Sequence, residues 1–404
     1  MASYSAVLRA PGMARIVSSQ LLARFPFGMM TLGFVMHIEQ MHDSYAIAGV
    51  ALGAETIGAA ISGPLLGRWL SKFGVRRLLL ATAAFGATCM ALIALFTLPP
   101  VVIIILALLV GLTSPPIQSA VRTIYPTLVK KDQLDTVYSL DATAQEIIWV
   151  IGPVLAAFIA STTNTAVVVL LMAVIQILGA LWFSFNPEVR DLEIPRSEGK
   201  VGKILRNELV YINAIIGLLM VGSFSGIEVG AVAILPKAEA GIALAALSVG
   251  SILGGLLIAN RVRGKHSLLG FLGLIAFGYG LSFINPTNAI WLGFAFFVAG
   301  LGIAPAFGRL GAMVANNIPM SQAAEAYGWI NTGQLVGYSA AAALAGIAID
   351  TVGNISALLV AFIFGLGSAV VALITSRASA RYASSNTSPG TEPSTNQSTN
   401  PATK

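Results

Sequence analysis

The chain is 404 residues long, 56% of them hydrophobic and 10% charged, with a mean hydropathy of +0.83. A soluble fold is excluded: so few charges cannot cover a water-facing surface, whereas a surface facing hydrocarbon needs none. The net charge of +6 comes from short basic runs between apolar stretches, the pattern of membrane topology rather than of a nucleic-acid-binding face, and the single Cys89 cannot form an internal disulfide.

Apolar runs long enough to cross a bilayer begin near residues 15, 45, 77, 101, 137, 165, 207, 240, 267, 289, 322 and 354, which predicts an all-α membrane protein of twelve transmembrane helices. The first run is as long as a spanning helix and has no small-residue cleavage site, so no cleavable signal peptide is expected. Residues 187–206 form the longest polar interruption, with charges and two prolines, and divide the chain into bundles at 1–186 and 207–376. The tail at 377–404, rich in Ser, Thr, Asn and Pro toward its end, is expected to be disordered and cytoplasmic.

Topology follows from the Lys and Arg positions. With a cytoplasmic N-terminus, Arg9 and Arg15, then Arg68, Lys72, Arg76 and Arg77, then Lys130 and Lys131 all fall inside. So do Arg190, Arg196, Lys200, Lys203 and Arg206 in the link, then Arg261, Arg263 and Lys265, and finally Arg377 and Arg381. Only Lys237 falls in an outer loop, which satisfies the positive-inside rule, and an even number of spans returns the C-terminus to the cytoplasm.

The halves also resemble each other. Laying 110–159 on 299–348, a shift of 189, puts Gly111, Leu112, Pro116, Tyr138, Gln145, Leu155 and Ala156 on Gly300, Leu301, Pro305, Tyr327, Gln334, Leu344 and Ala345. Parallel repeats about an axis along the membrane normal are one transporter plan, with the solute held between halves near the midplane.

After the second span, the segment from Gly67 to Arg77 (GRWLSKFGVRR) resembles the G-x-L-a-D-r-x-G-r-k signature of the major facilitator superfamily. Gly67, Lys72, Gly74, Arg76 and Arg77 match it, whereas Ser71 replaces the acidic residue and Trp69 the usual leucine. Gly152-Pro153 in the fifth span resembles part of the G-x-x-x-G-P-x-x-G-G motif of drug and proton antiporters, with Ile148, Ala156 and Ala157 at glycine positions. The resemblance implies two pseudo-symmetric six-helix bundles, a gating role for these motifs, and a cavity lined by spans one, four, seven and ten. Without it, the cations at the inner ends of spans two and three still read as topology anchors or as partners of helix C-termini and anionic lipid heads. Gly74 suits a tight turn or a close helix approach. Small residues along span two (Gly49, Gly53, Gly58, Gly63, Gly67) and span eight (Gly250, Gly254, Gly255) suit close helix packing, whether static or sliding.

An ionisable side chain near the bilayer centre costs about 2.5–3.5 kcal/mol on insertion scales, so it must face a cavity, pair or neutralise. Arg24, Glu55, Glu146, Glu228 and Arg309 are such residues. Arg24 and Glu146 lie at matching depth in spans one and five and are expected to pair, as a proton-coupling site or as a structural ion pair, and Arg24 is also a candidate for the solute cavity. Glu55 and Glu228 lie nearer the outer face and are candidates for coupling or solute contact as well as for solvated structural roles. Arg309 is expected either to contact solute or to brace the inner gate through Asp141, Glu146 or backbone carbonyls. Gln145, Gln334 and Asn331 suit a polar solute or glue between helices.

The loops are too short for a soluble enzyme domain, His37, His42 and His266 are expected on loops without metal-ligand spacing, and no G-x-x-x-x-G-K-[ST] motif is present. No cofactor, metal or nucleic-acid partner is expected. A channel would need a continuous polar pore or a symmetric assembly. The sequence therefore predicts a secondary transporter of a bacterial inner membrane, a functional monomer among lipids. It is expected to couple to protons and to export a drug-like compound, metabolite or sugar; uptake, facilitated diffusion and a receptor without transport are the alternatives.

Overall fold

The structure, a computed structural model, describes residues 4–190, 192, 194–195, 201–259, 261–262, 264 and 266–385. A short helix α1 (Tyr4–Leu8) precedes α2 (Met13–His42), α3 (Tyr45–Phe73), α4 (Val75–Leu95), α5 (Pro100–Leu112), α6 (Ile117–Leu128), α7 (Leu134–Thr162) and α8 (Thr165–Ser184). The link carries the one-turn α9 (Pro187–Arg190). The second half comprises α10 (Glu208–Ile234), α11 (Lys237–Leu253), α12 (Ser267–Leu281), α13 (Ala289–Asn317), α14 (Met320–Val352) and α15 (Ser356–Ser385). Among the described residues there is no strand. Eleven stretches are long and apolar enough to span a membrane, and α12 is the shorter apolar twelfth. Helices are the expected answer, because lipid offers no partner for an unpaired backbone group.

Helix ends fall where side chains can satisfy them. Ser44, Asn164 and Asn288 accept from the backbone N–H of Ile47, Val167 and Trp291 at 3.3, 2.9 and 2.9 Å. Gly74 turns the chain between α3 and α4 at φ +82°, with nothing within 4 Å of where a Cβ would sit, so of the two roles expected for it the turn is the one it fills. The fourth span, read from the sequence as one run, is broken into α5 and α6 across Thr113–Pro116, because prolines 115 and 116 supply no N–H to a continuing helix. The eighth span ends in a π turn at Gly254–Ile258. The last helix continues to Ser385, so residues 377–385 of the tail expected to be disordered are helical instead, Ala and Arg carrying the helix past its last apolar turn, and the rest of that tail, like Arg196, Lys200, Arg263 and Lys265, lies outside the described residues.

Three apolar cores position the halves. One is confined to the first bundle (Met29 to Ala173) and one to the second (Ile216 to Ala372). The third joins Val7, Ile16, Leu70, Tyr125 and Tyr138 to Ala312, Ala324 and Tyr327, and so spans both halves near the face that carries the termini. Beyond that face the other two cores stay separate, and Gly49 and Gly53 of α3 have nothing within 4 Å of a Cβ position.

Candidate functional site

The contacts between halves run along two seams and an axis. On the first seam, α3 meets α14: a Cβ on Gly67 would lie 2.5 Å from the Ala324 carbonyl, and one on Gly328 2.3 Å from the Gly63 carbonyl. Thr332 donates to the Ala60 carbonyl at 2.5 Å, and Arg68 pairs at 3.3 Å with the buried Glu325. The other Glu325 oxygen accepts from the backbone N–H of Gly202, in the link between halves, at 2.8 Å. On the second seam, α7 meets α11 and α13. Arg309 pairs with Asp135 at 2.8 Å and donates to the Gly264 carbonyl at 3.3 Å, Gly308 abuts Ser139, and Gly255 abuts Thr143. Deeper in this seam Glu146 of the first half accepts from Ser251 of the second at 2.8 Å. Tyr4 reaches the same seam, its hydroxyl donating to the Gly255 carbonyl in the π turn; burial there pushes its phenol up to about 12.

At the axis Tyr327 donates to the hydroxyl of Tyr138 at 2.9 Å. Tyr138 in turn donates to the Arg122 carbonyl at 2.6 Å, and Tyr327 stands 3.0 Å from the Gly311 carbonyl. The shift of 189 that relates the tyrosines also relates Arg122 to Gly311, and Thr143 on one seam to Thr332 on the other. The repeat is therefore present in the contacts, not only in the letters.

The polar core of the first bundle departs from expectation. Arg24, 3% exposed, does not pair with Glu146. Its guanidinium bonds Asp141 at 3.1 Å, Gln20 at 2.7 Å and the Gln145 amide oxygen. Asp141 also accepts from Gln20 at 3.1 Å, from Arg122 at 3.3 Å and from Tyr125 at 3.1 Å. Helical geometry explains the exchange: Asp141 and Gln145 share one face of α7, whereas Glu146 is turned about 140° from Asp141 and meets α11. Depth alone matched Arg24 to the wrong acid. Arg122, a charge inside an apolar run, was the sequence signal for this cluster and was not among the candidate residues.

Glu55, 7% exposed on α3, has the Thr56 hydroxyl 3.5 Å away, and Glu228 on α10 accepts from Tyr338 at 2.5 Å. Among the described residues none of Glu55, Glu146 and Glu228 is in an ion pair. Gln334 packs on Gly217 of α10, and Asn331 is half-buried on α14. Arg309 finds its acid in Asp135 rather than Asp141 or Glu146, though the expected backbone carbonyl is also there. Ser71 donates to the Arg68 carbonyl of its own helix, and Lys72 and Arg76 lie over the rings of Phe73 and Phe185, while Arg77 is exposed. Gly152 meets Gly28 within the first bundle, beside Pro153, so at Gly152 the motif packs two helices of one half. His37 is not on a loop: it is buried in α2, 3.0 Å from Thr165 and 3.1 Å from the Ile93 carbonyl, while His42 ends α2 and His266 caps α12. Among the described residues no group of His, Cys, Asp and Glu could hold a metal ion.

Two bundles of membrane helices, sharing one apolar core near the face that carries the termini and each keeping a core of its own, define a multi-pass membrane transporter rather than an enzyme. The Major Facilitator Superfamily pattern matches residues 16–342, and the chain belongs to that family. No curated protein matches it significantly. Among solved structures it is similar to the human organic anion transporter MFSD10 (TETRAN), with 14% identity, a TM-score of 0.70, and 89% of this chain and 99% of that one covered. It is also similar to a bacterial homologue of the iron transporter ferroportin in its outward-facing state, with 13% identity, a TM-score of 0.70, and 90% and 99% covered. At such identities the likeness is one of fold.

Proposed function

We propose that this transporter works by alternating access, coupled to protons, and exports a small amphipathic solute, a drug-like compound, metabolite or sugar, from a bacterial cell. The two rocking bodies are 1–186 and 207–376, joined by 187–206, in an inner membrane with both termini cytoplasmic and the monomer as the working unit. The basic runs on the terminal face support that orientation and suit contact with anionic lipid heads. With the terminal face inside, the shared core closes the cytoplasmic side.

The observation that carries the coupling is the Glu146 bond to Ser251. A carboxylate without a counter-cation, placed where two moving bodies meet, changes surroundings each time they part, and a buried charge is tolerated only while it is partnered or neutralised. Proton gain and loss at Glu146 is thereby tied to opening of the second seam. Glu55 and Glu228 are further candidates, one in each half, and Gln145, Gln334 and Asn331 are candidates for solute contact. Arg309 and Arg68 brace the closed side through Asp135 and Glu325.

The test is proton movement in inverted membrane vesicles, read with a pH-sensitive dye against a panel of antibiotics, dyes and sugars. Compound-dependent proton release in wild type and none with Glu146→Gln is the expected result. Compound flux without proton movement in wild type would replace coupled export by facilitated diffusion.

A further inference from the structure

The buried polar core of the first bundle is short of one negative charge. Arg24 and Arg122, both less than a tenth exposed, converge on a single carboxylate, Asp141. Donors that Asp141 cannot satisfy are taken up by neutral amide oxygens. Arg24 gives hydrogen bonds to the oxygens of Gln20 and Gln145, and the Gln118 oxygen, with its amide oriented to suit its neighbours, accepts from Arg122 at 3.1 and 3.2 Å. A guanidinium is charged under all ordinary conditions and forms its strongest hydrogen bonds with carboxylates or phosphates, so an amide oxygen is the weaker partner for it. Glu55 and Glu146 do not make up the deficit, since their partners are Thr56 and Ser251 and not either arginine.

The place of this cluster in the fold adds to its sign. α6 begins at mid-span, after the break at Thr113–Pro116, and Gln118 stands in its first turn. Its N-terminus lies about 16 Å from its other end at the terminal face, counting roughly 1.5 Å per residue, and its positive dipole end points away from that face. Half-helix N-termini near the midplane are used by transporters to hold anionic groups. Gln118 and Gln145 are only half-buried, so they form the accessible edge of the cluster, while the Tyr327 ring of the second half covers Arg122, its centroid 5.9 Å from the guanidinium carbon.

We infer that the solute carries one negative charge, a carboxylate or similar oxyanion on an apolar body, and that its oxygens replace the amide oxygens of Gln118 and Gln145 on Arg122 and Arg24. This names the substrate class for the transporter proposed above and rests on that reading for transport, though not for binding. With the terminal side open, Tyr327 withdraws and the same guanidiniums face the cytoplasm, so one site serves both faces.

The test uses three probes of one shape: 1-naphthoate, 1-naphthamide and 1-naphthylmethylamine, which are anionic, neutral and cationic at neutral pH. Binding to the purified full-length protein in detergent is measured by calorimetry and by thermal unfolding. Naphthoate is expected to bind and to raise the unfolding midpoint, the other two to do neither. Gln118→Glu supplies the missing charge from within; it is expected to unfold at a higher temperature than wild type and to bind naphthoate at least about tenfold more weakly. Arg122→Lys, which keeps the charge but not the fork, is expected to retain weakened binding. Absence of naphthoate binding, binding led by the amide or amine, or undiminished naphthoate binding to Gln118→Glu would overturn the inference. Naphthoate binding without proton flux in vesicles would uphold it while removing proton coupling, and proton flux driven by cations alone would do the reverse.

Discussion

Tyr138 and Tyr327 are the residues at which the duplication becomes physical. The Tyr327 hydroxyl donates to that of Tyr138, which donates in turn to a carbonyl sixteen positions back in its own half, so neither is left without a partner in a buried setting. Tyr327→Phe removes the donor to the Tyr138 hydroxyl, a loss of about 1–2 kcal/mol that thermal unfolding in detergent should register, with the double variant Tyr138→Phe/Tyr327→Phe costing less than the sum of the singles because that bond is shared. At this scale the sequence was legible in depth and illegible in azimuth. Arg24, Glu146 and Arg309 were recognised as charges that lipid would not tolerate, and all three do have partners. Arg309 finds the backbone carbonyl expected for it but a different acid, and Arg24 and Glu146 do not find each other, because a difference of five residues along α7 turns Asp141 and Glu146 to different neighbours, and helix rotation is set by packing that one sequence does not display. Glu146→Gln keeps the shape and the acceptor oxygen for Ser251 while removing the titratable group, so it is expected to fold as wild type and to lose only coupled proton movement.

At the scale of elements, the glycines of α3 divide by function along the helix. Gly58 lies against α5 of its own bundle, whereas Gly63 and Gly67 lie against α14 of the other. The sequence marked all of them as small residues in a membrane helix and had no way to tell which contact would open. Gly328→Leu places its Cβ where the Gly63 backbone now stands, which no rotamer can relieve, so the first seam must part. If the bundles move as bodies, the second seam parts with it. Thr143→Cys, 7% exposed beside Gly255, is then expected to become reactive to a water-soluble maleimide in the Gly328→Leu background and to remain unreactive without it. Cys89, the single native cysteine, is buried and does not confuse the readout. The break between α5 and α6 was visible as Pro115-Pro116 but was masked by the continuous apolar run around it, and the π turn of α11 had no sequence mark beyond Gly254-Gly255.

The whole molecule was the most legible scale. Span starts expected at 15, 45, 165, 267 and 289 are matched by helices beginning at Met13, Tyr45, Thr165, Ser267 and Ala289, because a bilayer imposes length and apolarity on each span independently of its neighbours. What no sequence pattern showed is the relation between bundles: one shared core at the terminal face and separate cores elsewhere. Rocking that parts the shared core predicts opposite changes at the two faces. The most direct measurement is a pair of spin-label distances in the full-length protein, one between Ser71 and Ser321 at the terminal ends of α3 and α14, the other between Val50 and Ile347 toward their far ends. As the pH is lowered from neutral, the first distance is predicted to gain a longer population while the second gains a shorter one in equal proportion. Distances that stay fixed, or that lengthen together, would contradict alternating access driven by protons.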